Sequence, residues 1–214
     1  MEWYKLYFRA IEKAVHTLSN RVIMEYKGDT HGPLLIVIGG IHGNEFAGIK
    51  ALSLVLKMLE VEPITNPSFS FIGKIMGLVG NQRAVIAKKR YIDQDLNRMW
   101  DRVEVKTLKD NESQRLTSES KELFELLDLI EQEVRSYQPT ALYILDLHTT
   151  SSGGGIFSIP NGSSESLKIA KNLNAPVISD MLIGIKGTTL HYFNNDLDFG
   201  LPTTSVTFEA GQHD

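Results

Sequence analysis

The chain has 214 residues, 42% apolar and 22% charged, enough for one sizeable globular core or at most two small ones. Its 22 basic and 26 acidic side chains leave a net charge of -4, against the basic face that a general nucleic-acid binder presents. It contains no cysteine, so disulfides and thiolate metal sites are excluded and any metal falls to His, Asp or Glu.

In chain order, residues 3 to 18 place Leu6, Ile11, Val15 and Leu18 at helical spacing and predict a surface helix. The N-terminus lacks the basic start and apolar run of a signal peptide. No apolar stretch approaches the roughly 20 residues needed to cross a bilayer, so the expected location is cytoplasmic. Arg21 to Tyr26 reads as a short strand, followed by a turn-rich loop from Lys27 to Pro33. Leu34 to Ile38 is an unbroken apolar run, read as a strand buried on both faces. Phe46 to Leu59 predicts a buried helix, with Pro63 and Pro67 ending that region. Ser68 to Val79 alternates and reads as a strand. Gly80 to about residue 112 is a long polar, irregular segment with few apolar anchors; such stretches in a compact domain are usually functional or mobile. Ser113 to Tyr137 predicts a long amphipathic helix with Leu123, Leu126, Leu127, Ile130 and Val134 inward, stopped by Pro139. Ala141 to Leu147 predicts a buried strand, Thr149 to Gly155 a polar loop, Ser163 to Leu173 a capped helix, and Thr203 to Phe208 a last strand. Strands alternating with helices imply an α/β fold, a sandwich with a mostly parallel or mixed sheet.

The chemistry gathers at strand ends. Gly39 and Gly40 close the central strand, and His42 and Glu45 follow three residues apart, where a helix begins. His148 ends a second buried strand. In an open α/β sheet the loops at the carboxyl ends of strands share one crevice. Two His and one Glu with an open fourth position form a catalytic zinc set. Taken alone, His42 reads as a turn histidine and Glu45 as a carboxylate favoured by a helix N-terminus; the combination with His148 shifts the balance to metal. A phosphate cradle at Gly39–Gly43 is weak, because the Walker spacing is absent and Glu45 would repel an anion.

Asp95-Leu-Asn-Arg98 lies in the polar segment. Arg98 could offer its guanidinium fork to a carboxylate, Asn97 an amide donor, and Asp95 could accept the second ring N–H of a ligating His. A solvated charged loop is the plain alternative. Asp146 is two residues from His148 on one strand face and fits a supporting carboxylate. Glu209 follows the last strand, where a carboxylate could transfer protons; a capping or solvent-facing Glu is the alternative. His16 and His31 read as peripheral, and His191 and His213 carry no assigned role. Gly-x-Ser-x-Gly is missing, and no Ser-His-Asp arrangement is evident.

Together, Gly40-Ile-His-Gly-Asn-Glu45, Asn81-Gln-Arg-Ala84, Arg90-Tyr-Ile-Asp-Gln-Asp-Leu-Asn-Arg98, Asp146-Leu-His-Thr-Thr150 and Phe208-Glu-Ala-Gly211 resemble the succinylglutamate desuccinylase/aspartoacylase family of zinc carboxypeptidase-like hydrolases. The resemblance implies a three-layer αβα sandwich, with one catalytic domain over residues 1–214 that lacks the family's small β-rich C-terminal domain. It implies one zinc ion per chain on His42, Glu45 and His148. Arg90 would polarise the scissile carbonyl, Asn97 and Arg98 would clamp the substrate carboxylate, and Glu209 would serve as general base and acid. Asp95 matches the carboxylate that orients the first His. The N-acetylaspartate enzymes carry an arginine about ten residues before the catalytic Glu; here Leu197 to Pro202 has no basic residue, which argues against an aspartate-type substrate.

The expected function is therefore zinc-dependent hydrolysis of the amide bond of an N-acyl amino acid or related small amide. A metallocarboxypeptidase acting on peptides and a non-catalytic zinc-dependent binding domain are the alternatives. The expected partner is a small-molecule substrate with a carboxylate, with no nucleic acid and no membrane; a homo-oligomer stays open.

Overall fold

Six strands form one mixed sheet in the order β1-β3-β2-β4-β6-β5. The computed structural model describes residues 21–150, 153–194 and 199–212; the helix expected over residues 3–18 lies outside them. The strands are β1 (Val22–Lys27), β2 (Thr30–Gly39), β3 (Ile72–Val79), β4 (Leu142–Thr150), β5 (Ile156–Pro160) and β6 (Thr203–Gln212). β3, β2, β4 and β6 run parallel, and β1 and β5 close the two edges antiparallel. β2 is thus central, hydrogen-bonded on both sides, which is why its Leu34-Leu-Ile-Val-Ile38 stretch is nearly all apolar. It starts earlier than the apolar run: Thr30 already pairs with Ile72, and the register slips before Leu34. The expected loop over Lys27–Pro33 therefore shrinks to the turn at Gly28 and Asp29.

Helix α1 (Ala47–Thr65) packs on one face through Leu52, Leu56 and Leu59 against Met24, Val37 and Ile75. It is much less buried than its apolar content suggests. Only Gly48 and Leu52 are buried, while Met58 and Ile64 are 69% and 80% exposed. A helix lying on a sheet buries one stripe, and the remaining apolar side chains of α1 lie outside it. Pro63 sits within its last turn without stopping it, and the chain breaks at Asn66, extended before Pro67.

The opposite face is covered by α4 (Ser118–Tyr137), whose Leu123, Leu126, Leu127 and Ile130 are buried against Leu34, Ile36, Ile38, Leu142 and Ile144. Thr117 and Ser120 form a reciprocal cap at its start, and Gln138 ends it in the left-handed conformation. The segment over 80–112 is not irregular. It carries α2 (Gln82–Ala87), a 3-10 turn at Leu96–Arg98 and α3 (Arg102–Asp110), followed by a second 3-10 turn at Glu112–Gln114. Their few apolar residues, Leu96, Met99, Trp100, Val105 and Leu108, join the α4 core. α5 (Ser164–Asn172), capped by Ser163, and the short α6 (Thr189–Tyr192) complete the layers. The fold is a three-layer αβα sandwich. β5 and α6 carry no strong local pattern and were not expected. No described helix is long and apolar enough to cross a membrane.

Candidate metal centre and active site

The carboxyl ends of β2, β4 and β6 lie side by side, and the site forms there. Gly40 turns the chain out of β2 at a φ of +74°, a conformation glycine takes without strain. Gly43 follows, where a Cβ would meet the backbone carbon of Ala84 at 2.1 Å. The tight turn between them holds the buried His42, and Glu45 folds back beneath it: the Glu45 N–H donates to the His42 carbonyl at 3.0 Å. β4 delivers His148 from the other side.

His42 Nδ1 lies 2.8 Å from Glu45 Oε1, and His148 Nδ1 lies 3.1 Å from Glu45 Oε2. Ligand atoms of the three buried residues all lie within 4.8 Å of one another. Each ring is held from behind by a carboxylate. His42 Nε2 is 3.1 Å from Asp95 Oδ1, and His148 Nε2 is 3.0 Å from Asp146 Oδ2. A carboxylate only accepts; when Asp95 and Asp146 take the two Nε2 protons, the Nδ1 lone pairs are left aimed inward at Glu45. Two lone pairs and a carboxylate then converge with no donor among them, an arrangement that a cation between them satisfies. Together with a ligand set of two imidazoles and one carboxylate, this fits a zinc ion.

The carboxylates make the site attractive to a cation, whether a metal ion or a proton on His148. Burial pushes the Glu45 carboxyl up, but the adjoining His148 and His42 rings outweigh it and hold it well below the usual range. Burial likewise opposes ionisation of Asp95, and His42, the Asn97 N–H and Arg90 bring it down. Burial lowers His148, yet Asp146 and Glu45 raise it well above an ordinary histidine.

Glu209 lies within β6, which continues to Gln212 instead of ending at Phe208. It pairs in register with His148, so the two side chains share one sheet face. Its Oε2 is buried and has no hydrogen-bond partner among the described residues. Burial raises its pKa, His148 opposes this, and Glu45 and Asp146 add to it. Arg90 is 43% exposed on the rim, with Nη1 3.5 Å from Glu45 and Nη2 3.4 Å from Asp95. Asn97 is buried: its Oδ1 accepts the Thr189 N–H at 3.1 Å, and its Nδ2 is 3.4 Å from His148 Nε2. Arg98 is exposed, and its Nη1 donates to the Asn97 carbonyl at 2.7 Å. The fold thus brings His42, Glu45, His148, Asp95, Asp146, Arg90, Asn97, Arg98 and Glu209 to one end of the sheet. His31 is remote, against the Gln138 carbonyl. His16 and His213 lie outside the described residues.

Thr189 was missed. Its hydroxyl donates to Asp146 Oδ2 at 2.6 Å while its N–H holds Asn97. The Gly187-Thr-Thr189 sequence signals a helix start, but nothing local ties it to Asp146, 43 residues away.

A family model described as the succinylglutamate desuccinylase/aspartoacylase catalytic domain matches residues 31–213. The chain belongs to this family. It is 35% identical over 144 residues to a probable aspartoacylase of Trichodesmium erythraeum, covering 66% of this chain and 44% of that protein. It is 31% identical over 145 residues to an N-acyl-aromatic-L-amino acid amidohydrolase of Xenopus tropicalis, covering 67% and 43%. The chain therefore aligns with less than half of these relatives' length. Solved structures of other proteins share its fold. Succinylglutamate desuccinylase from Chromobacterium violaceum has a TM-score of 0.63 at 17% identity, over 94% of this chain and 65% of that one. Murine aminoacylase 3 has a TM-score of 0.58 at 23% identity, over 86% and 57%.

Proposed function

We propose that this family member is a zinc-dependent hydrolase that cleaves the amide bond of N-acyl amino acids. The observation that carries this reading is the convergence of His42, Glu45 and His148 next to the unpartnered buried oxygen of Glu209. The names of its relatives, an aspartoacylase and an amidohydrolase, support the same class of substrate. Zinc held by His42, Glu45 and His148 would supply Lewis-acid chemistry, lowering the pKa of water from about 15.7 toward 7.

The protein's own residues account for the rest. Glu209 takes a proton from the attacking water as its oxygen bonds to the acyl carbon, and delivers a proton to the nitrogen as the C–N bond breaks. The products are a carboxylate and a free amine. A base with a raised pKa suits both transfers near neutral pH. Arg90, beside Glu45 on the rim, stabilises the negative charge that develops on the acyl oxygen; loss of one such donor typically costs about 100- to 1000-fold in rate. Asn97 and Arg98 sit beyond it, where Arg98 presents a fork to the substrate carboxylate. Asp95 and Asp146 hold the two rings in the ligating tautomer.

The test is zinc content of the purified chain and turnover on a panel of N-acyl amino acids set against short peptides. Bound zinc with cleavage of the acylated amino acids is expected. A chain that takes up no zinc when supplied with it refutes the reading, and cleavage of peptides alone replaces it with a carboxypeptidase.

A further inference from the structure

Glu119 stands in the first turn of α4 and is completely buried. No salt bridge reaches it among the described residues. Burying a carboxylate without a counter-ion is costly unless hydrogen bonds replace its water. Here Oε1 accepts from Asn81 Nδ2 at 3.0 Å and from the Ile92 N–H at 2.7 Å. Oε2 accepts the N–H groups of Asp93 and Gln94 at 3.0 and 3.2 Å. These donors outweigh the effect of burial and keep its pKa below that of an ordinary Glu. Three successive peptide N–H groups thus form a concave anion nest, and the anion inside it is a side chain of the protein.

The segment so held is not an arbitrary one. Arg90 lies two residues before the nest, and Asp95 one residue after it. Flanking bonds reinforce the dock: the Ser118 N–H donates to Asp93 Oδ2 at 2.7 Å, and Gln94 Nε2 to Thr117 Oγ1 at 3.1 Å. Glu122, one turn further along α4 and equally buried, offers a natural contrast. It is paired with Arg21 and Arg83 and accepts the N–H groups of Gln82 and Arg83 at the start of α2. Two carboxylates on one helix therefore hold two different segments, and only that of Glu119 runs from Arg90 to Asp95.

We propose that Glu119 is a positioning residue, whose carboxylate fixes residues 92–94 so that Arg90 and Asp95 reach Glu45 and His42. This rests on the zinc-hydrolase reading above. Asp95 holds the His42 ring, so loosening the segment weakens zinc binding. Arg90 meets charge that develops during reaction, so the same loosening lowers kcat more than it raises KM.

The experiment uses the full chain. Zinc affinity is measured by competition with a chelator, kcat and KM are measured at full zinc occupancy, and amide hydrogen exchange is followed at residues 92–94. Glu119→Gln should weaken zinc binding by about 10-fold or more, the range seen when groups that support a ligand are removed. It should also lower kcat at unchanged KM and speed exchange at residues 92–94. Glu122→Gln, the control, should melt lower yet keep zinc affinity and kcat close to wild type. Glu119→Asp keeps the charge with a shorter reach and should fall between wild type and Gln; it carries the test if the Gln variant does not fold. The proposal is overturned if the Glu119 variants lose only melting temperature, or if Glu122→Gln loses zinc affinity and kcat equally. A wild-type chain without zinc binding overturns the functional reading first, and is seen before any substitution is made.

Discussion

Glu209→Gln separates chemistry from metal binding. The substitution keeps size and shape, removes the charge and the basic oxygen, and leaves His42, Glu45 and His148 untouched. A positioned general acid–base contributes about 100- to 10,000-fold, or roughly 2.7–5.4 kcal/mol of barrier at 1.36 kcal/mol per tenfold. The upper part of that range is expected because each of the other carboxylates at the site is already bound to a histidine. Glu45 is engaged by both histidines, Asp95 by His42 and Arg90, and Asp146 by His148 and Thr189. The pH dependence gives a second reading. Burial raises the Glu209 pKa, and only the ionised form accepts a proton, so the rate should fall as pH drops through that raised value. The variant should lack this acidic limb. The assay is steady-state turnover of an N-acyl amino acid across pH, with zinc content measured on the same samples. Turnover near wild type at full zinc occupancy would remove Glu209 from the reaction. Loss of zinc in the variant would refute the reasoning differently, by making Glu209 a ligand.

Asp146→Asn should weaken zinc binding about 10- to 100-fold, because the His148 Nε2 proton loses its anionic partner at 3.0 Å; chelator competition measures it, and unchanged affinity would mean that Asp146 does not orient the ring. Leu126→Ala, at a fully buried position of α4, should cost about 2–5 kcal/mol and be read as a lower denaturation midpoint with unchanged slope. Glu119 should shape acid stability. Its folded pKa lies below the unfolded value of about 4.3, so its contribution is complete above the unfolded pKa and disappears as pH falls through the folded one. Glu119→Gln should therefore be less stable at neutral pH and lose less on acidification; parallel pH–stability curves would contradict this.

Much of the fold was legible because burial writes itself into short-range patterns. The run Leu34 to Ile38 could only be a strand covered on both faces, and the spacing of Leu123, Leu126, Leu127 and Ile130 only a helix against a sheet. The convergence of His42, Glu45 and His148 could also be read, since His42 and Glu45 sit at a strand end and His148 at another, and parallel strands bring such ends together. Composition misled at α1, where apolar residues outnumber those that one sheet face can cover. It misled again over 80–112, where polar residues disguised two helices and two 3-10 turns: buried carboxylates hold the start of α2 and residues 92–94, and only a few apolar residues anchor the rest.

The residues alone determined an α/β chain, cysteine-free, whose metal chemistry could fall only to His, Asp and Glu at strand ends, because hydrophobic period and ligand type are local properties. Which nitrogen of each ring faces inward, and that Glu119 and Thr189 brace the site, were decided by the tertiary structure alone. The bonds Ile92–Glu119, Asp146–Thr189 and His42–Asp95 span 27, 43 and 53 residues of sequence, and side chains so far apart along the chain acquire a geometry only when the sheet and α4 place them face to face.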